Sequence, residues 1–500
     1  MTSALDPHSI VPDAQSPRPP SFLTDEQIAA WRRDLDHRLQ RVISHPEQNA
    51  GFLEEHIRLA TQELQRRALE AALQAKADQL PCQCHDCDGP LKDLRQIKRT
   101  IHSGCGPASF TRAYGFCAPC GKWCYPADYA LGLERSASAS PLVQELAALL
   151  VTKMPAEQAE PVARRLGIQI SRATLDREAR RQGGKAQAVR AQERQQFDAW
   201  EGIQKQAAQL QTEPSSQPFT LVIQIDAWNI RERDDWGKTQ AKREKGETIT
   251  RWHWVYVATC FRLDHRGQSE GGRPFITQRR YAATRLGVDE LMRQLYVQAI
   301  ASGLWQAQRV LVIADGAVWI WNAVADRFPD AIQRLDLFHA DEHLWEVAND
   351  LHGKGTSAAR EFVTPLLTQI RQDQTPQLIQ SLEALKPRLL EVQKENFEKQ
   401  IQYLRNNQHR MKYKQVLEAQ EKLQDKKANP TAAQTLAASE PVGSGAIEST
   451  CRQYQCRFKR TGQFWTQTGD EALLCLETFW RNEQWEQLYP HAALTSLKQN

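Results

Sequence analysis

Residues 219–230, FTLVIQIDAWNI, form a continuous apolar run rich in β-forming residues and broken by one acid, Asp226. Such a run suits a strand buried on both faces. A carboxylate inside it is costly unless a cation or hydrogen-bond donors compensate it. Outward from this run, residues 250–263 (TRWHWVYVATCFRL) and 273–285 (RPFITQRRYAATR) read as two further strands joined by the turn-rich DHRGQSEGG. Residues 287–305 have the spacing of an amphipathic helix, and 308–317 (QRVLVIADGA) read as a second buried strand that ends at an acid, Asp315. Residues 318–328 then read as helix and 331–340 (AIQRLDLFHA) as a final strand.

The order β-β-β-α-β-α-β is that of a ribonuclease-H-like α/β core, expected here over 219–340. Residues 341–440 are polar, helical in pattern and too long for a loop, so they read as a helical insertion. Residues 441–500 then complete the core. Within them GSGAIESTCRQYQCRFKR (443–460) reads as a helix opened by a glycine turn, with Ile447, Cys451, Tyr454 and Phe458 on one apolar stripe. Glu448, Arg452, Gln455 and Lys459 form the stripe beside it, an acid heading a row of cations. Taken alone, that row also fits a solvated surface with one ion pair.

Upstream the expected organisation is a multidomain one. Residues 1–23 are proline-rich, without an apolar core, and read as a disordered leader. Residues 24–80 read as a helical arm, with Ile28, Trp31, Leu35, Leu39 and Val42 at helical steps. In 141–184 one helix, a turn at Leu166-Gly167-Ile168 and a second helix opened by Ser171 have the outline of a helix-turn-helix. Ala163, Leu166, Ile168 and Leu175 are its expected core, and Arg172, Arg177, Arg180, Arg181 and Lys185 are its candidate phosphate contacts. An ordinary basic helical hairpin is the plainer alternative. Residues 185–218 read as a charged, Gln-rich helical linker ending in the loop TEPSSQP.

Most of the 11 cysteines crowd between Cys82 and Cys124, and the chain shows no secretory leader pattern. That favours metal binding in a reducing compartment over disulfides, and a cytoplasmic location is expected. Within 81–130, Cys84-x2-Cys87 and Cys117-x2-Cys120 are two knuckles, which is how a zinc ribbon presents four thiolates to a structural Zn2+. Cys82, Cys105, Cys124 and His85 are surplus donors. Lys92, Arg95, Lys98, Arg99 and Arg112, between the knuckles, are candidates for a DNA-facing surface.

The net charge of +4 neither demands nor excludes a polyanionic partner. No run of apolar residues is long enough to span a bilayer, so no membrane partner is expected. Neither a GxxxxGK[ST] phosphate loop nor a GxSxG elbow is present. Carboxylates at strand ends instead suit oxygen-loving Mg2+ or Mn2+, two ions of which can activate an attacking hydroxyl and stabilise a leaving one.

On the cysteine module with YPADYALGL (125–133), then VIQIDAW (222–228), VIADGAVWIW (312–321), LDLFHADEHLW (335–345) and GSGAIESTCRQYQCRFKRTGQFW (443–465), the chain resembles the DDE transposases of bacterial insertion sequences, the ISKra family in particular. The resemblance runs from about Cys84 to Trp480. It implies a catalytic triad of Asp226, Asp315 and Glu448 holding two Mg2+ ions. It gives Asp336 and His339 a place in a family motif, with His339 either a buried histidine holding the strand–helix junction or an orienting or phosphate-contacting group near the metals. It implies that Arg452, Arg457, Lys459 and Arg460 meet the transposon end, with Trp465 either stacking on an unpaired base there or packing at a helix cap. The implied partners are double-stranded DNA, both element ends and target, and a second copy in a synaptic dimer or larger assembly. A ribonuclease-H-class nuclease or resolvase, and a non-catalytic DNA-binding regulator, are the alternatives.

Overall fold

The structure is a computed structural model that describes residues 24–46, 49–135, 137–198, 218–233, 239–248, 250–271, 274–424 and 439–489. The expected leader and most of the expected linker lie outside these residues. The chain divides into two compact units, one of residues 1–179 with 491–500, the other of residues 180–490. Among the described residues, no helix is long and apolar enough to cross a membrane.

In the first unit, helix α1 (Asp25–Ile43) opens on a reciprocal cap between Thr24 and Gln27. Helix α2 (Ala50–Gln79) opens on Asn49, whose side chain accepts from Phe52 N at 2.9 Å. Both caps satisfy donors that a helix start leaves orphaned. Strands β1 (Lys92–Ser103), β2 (Gly106–Cys117) and β3 (Lys122–Cys124) make an antiparallel sheet. Leu73 of α2 packs with Ile101, Ala108 and Phe110 of that sheet. Gln74 exchanges hydrogen bonds with the backbone of Thr111 at 2.8 and 3.1 Å.

Helix α3 (Pro126–Ala130) then places Asp128 beneath the sheet. Its carboxylate receives Arg99 at 2.5 Å and Arg112 at 2.6 Å, all three residues being buried. Two arginines expected on a DNA-facing surface are therefore interior ion pairs, while Lys92, Arg95 and Lys98 are exposed. Asp128→Ala would strand two guanidinium groups in the interior. It is expected to destabilise this unit by about 3–5 kcal/mol, read as a lowered denaturation midpoint.

Helices α4 (Pro141–Lys153), α5 (Ala156–Arg165) and α6 (Arg172–Asp198) follow. Ala163, Ile168 and Leu175 are buried as expected, but Leu166 is 56% exposed, because it caps α5 and faces solvent. Helix α6 runs unbroken through residues 185–198, so that part of the linker is helical as expected.

The second unit is built on a five-stranded mixed sheet. Its strands are β4 (Thr220–Glu232), β5 (Arg251–Arg262), β8 (Arg280–Thr284), β9 (Arg309–Ala314) and β10 (Ile332–Leu335), in the order β10-β9-β4-β5-β8. β4, β9 and β10 are parallel neighbours, and β5 is antiparallel to both β4 and β8. The run expected as one strand over 273–285 is split. Its first part, β7 (Pro274–Ile276), pairs with β6 (Arg266–Gln268) in a separate hairpin, and only its second part, β8, joins the sheet. Likewise β10 stops at Leu335, and LFHA begins a helix.

Helix α7 (Thr239–Glu244) lies between β4 and β5; α8 (Val288–Ala301) and α9 (Val318–Arg327) flank β9; α10 (Leu337–His352) follows β10. Then come α11 (Ser357–Arg371), α12 (Thr375–Glu383), α13 (Glu391–Asn407) and α14 (Lys414–Gln424). Ile223, Ile225, Val312 and Ala314 pack in one apolar cluster with Leu344, Val363, Leu378, Ile401 and Tyr413. The helices of 341–440 thus share the core of the sheet instead of enclosing their own. On the opposite face Val222, Leu311 and Ile313 meet Ala446 of α15 (Gly445–Phe458). Helices α16 (Gln467–Arg481) and α17 (Trp485–Leu488) end the described chain.

Candidate functional site

Three acids stand at one level of the sheet. Ile225 is paired with Ala314, and Ala314 with Leu335, so the next residue on each of three parallel neighbours is an aspartate: Asp226, Asp315 and Asp336. The apolar runs that lead to them supply the burial; the register of the parallel strands supplies the juxtaposition. Helix α15 is brought to the same place by Gln224, two residues before Asp226 and on the same face of β4. Gln224 is buried, accepts from Ile447 N at 2.9 Å and donates to the Gly443 carbonyl at 3.3 Å. Cys451, one turn on, donates its thiol to Asp226 Oδ2 at 3.4 Å. Ile447, Cys451, Tyr454 and Phe458 are all buried, as their shared stripe required.

Two glycines are needed where the chain passes close to aromatic rings. A Cβ on Gly443 would lie 2.6 Å from the Phe338 ring, and one on Gly316, just after Asp315, would overlap Tyr403.

The donor atoms that lie within 4.8 Å of one another belong to Asp336, His339 and Glu448. This trio shares Glu448 with the expected triad but differs in its other members. Counting lone pairs separates the two sets. Asp336 is fully buried; its Oδ1 accepts from Phe338 N at 2.6 Å and His339 N at 3.3 Å. Its Oδ2 accepts from Ser444 N at 2.6 Å and from the Ser444 hydroxyl. A carboxylate has about four acceptor positions, so Asp336 is saturated. It ties the start of α10 to the loop before α15 and positions the site.

Asp226 and Asp315 are different. Asp226 accepts only from Ala227 N at 2.6 Å and the Cys451 thiol; Asp315 accepts from Ala317 N at 2.9 Å. Among the described residues, neither these two nor Glu448 has an ion-pair partner within salt-bridge distance. Burial pushes the Asp226 carboxyl above its usual range, and the nearby Asp315 charge adds to that. His339 is half-exposed and its Nδ1 lies 3.1 Å from Glu342. Asp226, Asp315 and Glu448 thus keep lone pairs to offer, although the donor atoms that fall within 4.8 Å of one another are those of Asp336, His339 and Glu448.

Asp336→Ala would orphan the buried donors of Ser444 and uncap α10. A loss of roughly 3 kcal/mol is expected in denaturant titration. Asp336→Glu, although it keeps the charge, should not restore the stability, because the longer side chain overfills the pocket.

The exposed members of the cationic stripe are Arg452, Lys459 and Arg460. Arg457 and Trp465 are not available to DNA. They are 7% and 8% exposed, the guanidinium lies 5.0 Å from the indole centroid, and the indole nitrogen donates to the Phe458 carbonyl at 2.7 Å. They close the end of α15 as a packed corner. Arg172 and Arg177 are exposed on α6, with Arg177 reaching the Ser138 hydroxyl at 3.2 Å; Arg181 is half-buried.

In the first unit the four sulfurs of Cys84, Cys87, Cys117 and Cys120 come together. Cys84 and Cys120 are 3.9 Å apart, and Cys87 and Cys117 are 3.4 Å apart. Tetrahedral thiolates about 2.3 Å from zinc have edges of roughly 3.8 Å, so this cluster fits a structural metal such as zinc. Of the surplus donors, His85 and Cys124 lie beside Cys84, whereas Cys105 sits at the far turn of the β1–β2 hairpin.

Sequence reasoning singled out the strand-end acids but missed Gln224 and Ser444. A polar residue inside an apolar run was the available signal for Gln224; nothing marked Ser444. In comparison with known proteins, the chain matches no family model and no curated relative.

Proposed function

We propose that the chain is a DNA transposase that cleaves and joins strands by DDE-type phosphoryl transfer, using Asp226, Asp315 and Glu448. The observation that carries this reading is the set of three carboxylates with unspent lone pairs and no cationic partner among the described residues, two of them at one level of adjacent parallel strands, Asp226 within β4 and Asp315 just past the end of β9. Uncompensated negative charge in a partly buried site is expensive, and a divalent cation is the compensation that oxygen donors select. The sheet order supports the reading, because a ribonuclease-H-like sheet has this arrangement of parallel and antiparallel neighbours.

Mg2+ or Mn2+ at such a site supplies Lewis acidity at the scissile phosphate and an activated water or 3′-hydroxyl. The protein's own part is positioning. Asp226 and Asp315 hold fixed places because their strands are core elements, and Gln224 and Asp336 anchor the start of α15, the helix that carries Glu448. Arg452 on α15, with Lys459 and Arg460 just past its end, would meet phosphates of the bound strand. His339, tied through Nδ1 to Glu342, offers its other nitrogen toward that strand. Hydrolysis at the 3′ ends of the element followed by in-line attack of the freed hydroxyl on target DNA needs no covalent enzyme intermediate. The zinc module with Lys92, Arg95 and Lys98, and α6 with Arg172 and Arg177, are the proposed duplex contacts, and a synaptic dimer is the proposed assembly.

The test is Mg2+-dependent cleavage of the element's own ends, and strand transfer from pre-cut ends, by wild type and Glu448→Gln. Both reactions are expected in the wild type and neither in the variant. Cleavage without joining would instead assign a nuclease, and equal activity in the variant would remove Glu448 from the site.

A further inference from the structure

We infer that the β4–β5 ribbon beyond Asp226 is a stacking platform for unpaired nucleotides, built from Trp252, Trp254 and Arg231. This rests on DNA being the substrate and specifies which part of it is gripped. β4 and β5 continue as a pair past the level of Asp226, with Trp254 opposite Asn229 and Trp252 opposite Arg231. Alternate residues of a strand share a face, so Trp252, Trp254 and Tyr256 form one row. The two tryptophans are 55% and 52% exposed, a large apolar area for a surface without a partner. At the inner end of the row, Tyr256 meets Trp319 edge-on at 5.2 Å, and Trp319 stands in the first turn of the helix that follows Asp315. Tyr256 pairs with Ala227, so the row starts one residue past Asp226, on the face of the ribbon opposite to that carboxylate, and leads outward.

Its charge indicates the occupant. Beyond Asp226, β4 and the whole of β5 contain one acid, Glu232, which is buried and paired with Arg285. Arg231 and Arg251 are exposed, and the Arg231 guanidinium lies 4.9 Å from the Trp252 ring centroid. An apolar protein surface would leave these cations without a counter-charge, whereas a phosphodiester strand supplies both a counter-charge and flat rings. Alternate strand residues are about 6.7 Å apart, near two steps of the roughly 3.4 Å spacing of stacked bases. Among the described residues, Trp228 and Trp465, also near this end of β4, are buried.

The experiment compares the full chain, in Ca2+ to prevent cleavage, binding a labelled duplex with a four-nucleotide single-stranded overhang and a fully paired duplex of equal length. Wild type is expected to prefer the overhang. Trp252→Ala and Trp254→Ala should each lose about tenfold in overhang affinity, from the worth of one base–aromatic stack, with paired-duplex affinity and melting temperature unchanged. Trp254→Phe, which keeps a ring, should retain most of the preference. Overhang binding that is unchanged in both alanine variants overturns the platform and leaves the catalytic reading intact. So does a wild type without overhang preference, or a change of oligomeric state as the variants' only effect, which assigns the face to a second copy. A wild type that binds neither DNA removes the reading of DNA as substrate along with it.

Discussion

Asp226→Asn is expected to lower divalent-metal-dependent DNA cleavage by about 10³-fold or more while raising the melting temperature of the metal-free protein. Both effects follow from one carboxylate. Losing a charged ligand removes several kcal/mol of transition-state stabilisation, and about 4 kcal/mol is three factors of ten in rate. In the metal-free protein the same charge is a liability, because burial and Asp315 both disfavour it. The folded-state pKa is thus raised above the unfolded value of about 3.9. The group's contribution to stability is present in full below that value and lost as pH rises through the raised folded pKa. Asparagine keeps an acceptor for Ala227 N and carries no charge, so it retains at neutral pH what the acid gives only when protonated. A gain on the order of 1 kcal/mol corresponds to about 2–4 °C. Saturating Mg2+ should then raise the melting temperature of wild type and leave the variant's unmoved. Asp315→Asn should behave alike in cleavage. A variant that cleaves normally, or that still gains stability from Mg2+, would show that the cation is held elsewhere.

Removing zinc, or one of its thiolates, should have the largest effect on folding. Cys84 is 1% exposed and Cys117 fully buried at the base of the sheet, where the two knuckles join the ends of β1 and β2. Structural zinc contributes an apparent free energy of roughly 10–16 kcal/mol in small Cys-rich modules, more than a three-stranded sheet with one small apolar cluster supplies. Purified protein should therefore contain one zinc per chain by elemental analysis. Cys117→Ser should lose it and open residues 81–130 to limited proteolysis. Residues 180–490, with their own core, provide the internal control and should stay resistant. A metal-free preparation with the same protease pattern as the holoprotein would defeat this assignment. Cys105→Ser, at the far turn of the hairpin, should change neither zinc content nor cleavage pattern.

The exposure of individual cations explains why some residues were legible in the sequence and others were not. Arg99 and Arg112 have the same composition signature as Lys92 and Lys98, yet the first pair is sealed against Asp128 and the second is in solvent. Strand alternation decides which face each takes, and the sequence does not say what lies under that face. The resemblance put Arg457 at DNA and left Trp465 there or packed at a helix cap; the two pack on each other because the chain turns back at residues 459–465 and returns to β4, where Trp465 bonds with the backbone of Arg231 and Arg233. The helical segment 341–440 was recognised as helical from its pattern, but its sharing of the sheet's core was not, since amphipathic spacing shows that a helix has a buried face and not what it is buried against.

What the sequence determined by itself was local. Apolar runs ending in acids made β4 and β9 strands with Asp226 and Asp315 at their rim, helical spacing put Ile447, Cys451, Tyr454 and Phe458 on one buried stripe, and paired CxxC turns presented four thiolates. Only the tertiary structure decided which acids keep lone pairs to offer. Parallel register set Asp226, Asp315 and Asp336 side by side, and the loop before α15 then spent all of Asp336 on Ser444 and the start of α10. The physical reason is that hydrogen-bond saturation depends on partners more than 100 positions away, and no local pattern encodes them.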